Sequence, residues 1–146
     1  MTASRAFEDL TTTYLDLRWQ FDPVQATAAG LSDYDQRLGS FGSQSIEEHL
    51  AALRSIAHAV EELSFDTVED ELDRTALLNQ IRVTVNRYTH EQPHVRNPEF
   101  WLSHLLRGLY LLLVREDRPV AHRAAAAARR LEAIPSFLEE AKQTLH

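Results

Sequence analysis

Asn97-Pro98-Glu99-Phe100-Trp101-Leu102-Ser103-His104-Leu105-Leu106-Arg107-Gly108-Leu109-Tyr110-Leu111-Leu112-Leu113-Val114 is the stretch whose reading decides the fold. Asn97-Pro98-Glu99 starts a helix that runs to about Val114. After Arg107 it keeps almost no polar side, and from Leu109 to Val114 it is apolar all round. A helix apolar all round is normally buried all round. The stretch therefore predicts a central helix flanked on at least two sides. The expected neighbours are a first helix, through Phe7, Leu10, Tyr14 and Leu17, and a long helix, through Leu77, Ile81 and Val85. The alternative is that some of these leucines are exposed and form a docking surface for another protein or a second copy.

Outward from this helix, the same 3–4 spacing of apolar residues recurs. Phe7, Leu10, Tyr14, Leu17 and Phe21 place a helix at about Ala3 to Gln20. Asp22-Pro23-Val24-Gln25 reads as a restart, with Asp22 as cap and Pro23 at the first helical position. Gly30 ends that short helix, and residues 31–44 form a polar loop. Ser45 and Glu48 make a capping-box pattern before a helix at about Ile46 to Leu63. Asp66 and Glu69 repeat it before the long helix, which ends near Thr89. Beyond Val114, an Ala-rich helix spans about Pro119 to Ala133, and Pro135 opens a last one. The expectation is an all-α chain, a single compact bundle of six to seven helices over residues 1–146.

Composition agrees. Leu (21) and Ala (18) dominate while Gly and Pro are scarce, which favours helix. There is no cysteine, so disulfides, Cys-zinc sites and thiol catalysis are excluded. No apolar run approaches the ~18 residues of a membrane span. The polar start, Met1 to Asp9, lacks a secretory pattern. A cytoplasmic protein with no membrane contact is expected. The net charge of −7 hides an asymmetry, −11 over residues 1–73 and +4 over residues 74–146. The reading adopted is that the two halves cancel one another by packing. The rival is a basic face of Arg107, Arg115, Arg118, Arg123, Arg129 and Arg130 that takes an acidic partner. An acidic chain whose arginines alternate with no aromatics is not expected to bind nucleic acid.

His90-Glu91-Gln92-Pro93-His94 matches H-E-x-x-H. In zinc peptidases two histidines four apart on a helix share the metal, and the Glu serves as base. Here Pro93 lies between the histidines, removes a helical hydrogen bond and disfavours helical angles at Gln92. The segment is read as an interhelical connection and a decoy, with no metal and no cofactor expected. His104 offers a third ligand only by position, and is read as a core or rim residue. Asp33 and Asp35 flank Tyr34. Paired acids can bind a cation or exchange protons, but more often they are turn chemistry.

Two stretches carry a resemblance. Trp19-x-x-Asp22-Pro23-x-x-Ala26-Thr27-x-x-Gly30-x-x-x-Tyr34-Asp35-x-x-Leu38 resembles the N-terminal signature of a large bacterial family, the domain of unknown function 885. Arg130-Leu131-Glu132-Ala133-Ile134-Pro135-x-Phe137-Leu138 and Arg96-Asn97-Pro98-Glu99 are similar to later segments of it. The resemblance implies a predominantly helical, longer protein that looks like a zinc metallopeptidase. It implies that the catalytic motif lies downstream, so that no catalytic residue carries over to this chain. Trp19, Asp22, Pro23, Gly30, Tyr34 and Asp35 carry over as structural signature positions: Asp22 capping a helix, Trp19 packing beneath the turn, Tyr34 anchoring the loop.

Three functions compete. The first is a non-catalytic N-terminal helical module, or truncated relative, of a metallopeptidase. The second is a free-standing helical module that dimerises or binds a protein through the Leu-rich helix. The third is a small zinc hydrolase using His90, Glu91 and His94.

Overall fold

A computed structural model describes residues 2–146. Among these the chain is all-α, with seven α-helices and no strand. They are α1 (Ala3–Phe21), α2 (Pro23–Ala28), α3 (Ser43–Glu61), α4 (Val68–Asn86), α5 (Pro93–Arg96), α6 (Pro98–Val114) and α7 (Val120–Thr144). A 3₁₀ turn at Ser32–Tyr34 follows α2, and a π turn at Arg87–Glu91 follows α4. No helix among the described residues is long and apolar enough to cross a membrane.

The chain divides into two compact units. The first joins the residues up to Leu17 with Ile46–Gln92. It buries Tyr14 of α1, Ile46, Leu50, Leu53, Ile56 and Val60 of α3, and Leu77 and Ile81 of α4. Phe7 meets Phe65 edge to face, with centroids 5.5 Å apart. Arg74 reaches from α4 to the last carbonyls of α3, donating to those of Val60 (3.2 Å) and Glu61 (2.9 Å). A helix leaves such carbonyls without an internal partner, and a cation suits their negative end of the dipole. At the start of α4 the cap is Thr67 rather than the expected Asp66. Thr67 is extended and accepts from Asp70 N at 3.1 Å. Thr67 supplies the capping oxygen one residue later, and Glu69, Asp70 and Glu71 fill the first turn.

The second unit joins Arg18–Ser45 with Pro93–His146. Here α6 packs against α7, α2 and α5. The first helix up to Leu17 and the long helix, named above as its neighbours, belong to the other unit. The all-round burial expected of α6 is also corrected. Trp101, Leu105, Gly108 and Leu112 form a buried face, while Leu106 is 63% and Leu113 71% exposed. Phe41 centres an aromatic cluster, edge-on to Phe21 (5.1 Å), Phe100 (5.2 Å) and His104 (4.6 Å). Trp101 Nε1 donates to the His94 carbonyl at 2.9 Å. Gly108 lets α2 approach α6: a Cβ there would lie 3.0 Å from Val24 Cγ2 and 3.2 Å from Leu38 Cδ2.

Two boundaries differ from the sequence reading. α3 begins at Ser43, ahead of Ser45, whose hydroxyl instead meets that of Ser40 at 2.6 Å. Its entry is held by Glu140, which accepts from Phe41 N (2.7 Å) and Gly42 N (2.9 Å). Pro135 opens no new helix and sits inside the continuous α7. A mid-helix proline sacrifices one backbone hydrogen bond. The helix continues through it because buried residues lie on both sides, Ala126 and Arg130 before and Phe137 and Ala141 after.

Candidate functional site

The signature residues lie in the second unit, on the end of α1, on α2 and on the turn that follows, where Asp35 is the buried carboxylate. Asp22 caps α2, its Oδ1 accepting from Gln25 N at 3.0 Å, and Pro23 takes the first helical position. The helix is short because Gly30 turns the chain away at φ 95°, a conformation that costs glycine little. Arg115 closes the other end of α2 by donating to the carbonyls of Thr27 (3.2 Å) and Ala28 (2.8 Å). The 3₁₀ turn then carries Asp35 back to Thr27, whose hydroxyl donates to Asp35 Oδ1 at 2.8 Å.

Asp35 is completely buried. His122 Nε2 donates to its Oδ2 at 2.9 Å. Arg118, also buried, forms an ion pair with the same oxygen, though its Nε–H is not aligned as a hydrogen bond. Arg118 Nη1 turns to Asp117, at 3.0 and 2.9 Å from its two oxygens. Hydrogen bonding from Arg115 holds the exposed Asp117 carboxyl down at about 2.

Arg130 crosses beneath this pair, completely buried. Its Nε donates to the Arg37 carbonyl (3.0 Å), Nη1 to the Gly108 carbonyl, and Nη2 to Thr27 Oγ1 (2.7 Å) and the Tyr34 carbonyl (3.4 Å). Burial pulls its pKa down to about 10, against the pull of Asp35 and Asp22. A buried charge must have its N–H groups satisfied; Arg130 does so with three carbonyls and the Thr27 hydroxyl, and reaches the Asp35 carboxylate through Thr27. His104 faces the same loop, donating from Nε2 to the Leu38 carbonyl, with Nδ1 3.9 Å from Asp22 Oδ1. Burial lowers its pKa, the Asp22 charge raising it in part.

Beside the loop lies a cleft of about 470 Å³, lined by Gln36, Arg37, Ser40, Ser136, Phe137 and Glu140 among others. Glu140 is committed to the backbone of Phe41 and Gly42 and to the Ser40 hydroxyl (2.7 Å). The Arg37 guanidinium lies over the Tyr34 ring, 5.0 Å from its centroid.

Of the signature, Asp22, Pro23 and Gly30 mark the two ends of α2, and Tyr34 and Asp35 lie on the turn after it. Trp19 is half-buried, with the Arg18 guanidinium 5.0 Å from its ring centroid. Asp33 is exposed and does not share the Asp35 cluster. The H-E-x-x-H stretch lies elsewhere. His90 and Glu91 are exposed in the π turn, Gln92 is left-handed (φ 51°), and His94 is buried in α5. Among the described residues no three His, Cys, Asp or Glu side chains cluster to hold a metal ion.

Sequence reasoning missed Thr27, Arg118, His122 and Arg130 as one network. Arg118 and Arg130 were grouped there with a basic face, but both point inward. The available signal was that Thr27, Asp35 and Arg130 all stand in the family-like stretches. A family model described as "Bacterial protein of unknown function (DUF885)" matches residues 23–146. Neither the curated proteins nor the solved structures returned a match.

Proposed function

This chain belongs to the bacterial DUF885 family, and from that premise we propose that it is a non-catalytic helical module of a metallopeptidase-like protein. One observation carries this reading: the signature side chains are already committed to internal partners. Asp22 is taken up by the α2 cap, Asp35 by Thr27, Arg118 and His122, and Arg130 by three carbonyls and Thr27. Catalytic acids and bases need a proton to exchange within reach of substrate, whereas Asp35 and Arg130 are buried and Asp22 is held in a helix cap, which together fix the loop on α6 and α7. The helix that H-E-x-x-H requires is interrupted at Gln92, which argues further against zinc at His90 and His94. The same proposal places the protein in the cytoplasm, in line with a chain free of cysteine.

The test is metal content and proteolysis together. After incubation with zinc and gel filtration, the chain should retain no more zinc than a His90→Ala/His94→Ala variant, and neither should cleave labelled casein. Because His94 is buried, the exposed His90→Ala alone serves where the double variant unfolds. Stoichiometric zinc and casein cleavage, both lost in the variant, would establish the zinc hydrolase instead.

A second reading has its own support. The exposed leucines of α6 favour a helical interaction module, a role compatible with the absence of catalysis.

A further inference from the structure

We infer that α6 pairs antiparallel with α6 of a second copy of this chain, an inference that rests on the interaction-module reading above. Leu102, Leu106, Tyr110, Leu113 and Val114 are 47–71% exposed and recur every three or four residues, so they form one stripe along the helix. The stripe belongs to an ordered helix whose opposite face, Trp101, Leu105, Gly108 and Leu112, is buried. Its exposure is therefore no result of fraying.

Its extent suits a symmetric pair. Five such side chains expose on the order of 100 Å² each, or roughly 500 Å² per copy, at the upper end of what a typical monomer leaves uncovered. Two copies with their rims would reach about 1,000 Å², the threshold for a specific interface.

The spacing is self-complementary. In an antiparallel pair with its two-fold axis at the level of Gly108, Leu102 of one copy faces Val114 of the other, and Leu106 faces Tyr110. Every apolar residue on the i, i+4 ridge then meets another, as an isologous contact requires. The antiparallel sense also opposes the two helix dipoles. Between Phe100 and Val114 Arg107 is the single Asp, Glu, Lys or Arg.

Light scattering on sized protein tests this directly. At roughly 100 μM the wild type should run at twice the 16.7 kDa of one chain and dissociate on dilution. Leu106→Asp/Tyr110→Asp should weaken pairing by roughly 100-fold or more, since buried central anchors carry most of an interface's energy. Both positions are exposed, so the helical circular dichroism and melting temperature of the variant should match the wild type. A wild type that stays monomeric at this concentration overturns the second copy as occupant, while a different partner for the stripe still stands. A dimer that survives both aspartates removes α6 as the interface, and with it the interaction-module reading.

Discussion

At the scale of single residues, the charged side chains of the signature loop act through burial. Asp35 answers Arg118, His122 and, through Thr27, Arg130. Asp35→Ala leaves the buried Arg118 without its anion, so it should cost about 3–5 kcal/mol in urea denaturation. Asp35→Leu combined with Arg118→Met removes both members of the pair and should recover part of that loss. A double variant as unstable as the two single losses added would mean that the pair is not coupled. Asp22 belongs to a different class, being half-exposed and bonded to one backbone N–H. Asp22→Ala should cost about 1 kcal/mol, and Asp22→Asn or Asp22→Ser much less, because a capping oxygen suffices. Equal losses for all three would point to a need for the charge, with His104 3.9 Å away as the natural counterpart. The sequence announced Asp22 through Asp22-Pro23, a local pattern. It marks Asp35 as a signature position and as turn chemistry but not as buried, because nothing local distinguishes an Asp that folds inward from one that caps its own turn.

At the scale of elements, α6 shows how two apolar faces of one helix differ in consequence. Leu112 is 1% exposed and Leu106 63%. Leu112→Ala should cost about 2–5 kcal/mol through the cavity it opens. Leu106→Ala should change the stability of the isolated chain by less than about 0.5 kcal/mol. Thermal and urea melts of the two variants decide the matter, and equal losses would contradict the assignment of faces. Periodicity had little to say here because both faces are leucine-rich. Where the faces contrast in polarity, as in α3, spacing alone marks Ile46, Leu50, Leu53, Ala57 and Val60; all but the half-buried Ala57 are buried, and Ile56 joins them. The local chemistry of Pro135 marks a boundary, but packing on either side outweighs one missing hydrogen bond in α7.

At the scale of the whole molecule, burial makes stability depend on pH. Desolvation lowers His49 from 6.5 to about 4 and lowers His94 as well, and His104 shifts the same way by the balance already described. In the unfolded chain these imidazoles take up protons near pH 6.5, which the folded chain refuses until lower pH. Between those values the unfolded state holds more protons, so stability is complete above 6.5 and falls as the pH drops through the window. For His49 the slope approaches about 1.4 kcal/mol per pH unit. Urea midpoints should therefore fall from pH 7 to pH 5, and His49→Gln should flatten the decline. Midpoints unchanged over that range would show that the histidines are not shielded.

Local chemistry in the sequence determined that this chain is helical and where most helices begin. Caps, prolines and the 3.6-residue period act within a few residues of one another, so they can be read without knowing the partner. Family membership was legible for the same reason, in the short stretch from Trp19 to Leu38. Tertiary structure decided which polar groups go inside and which apolar ones stay out. Asp35 meets Arg118 directly, and Arg130 through Thr27, only when segments far apart in sequence are packed together. One leucine-rich face of α6 is left bare because α2, α5 and α7 cover the other. Burial is a property of neighbours, and a sequence names a residue's neighbours only along the chain.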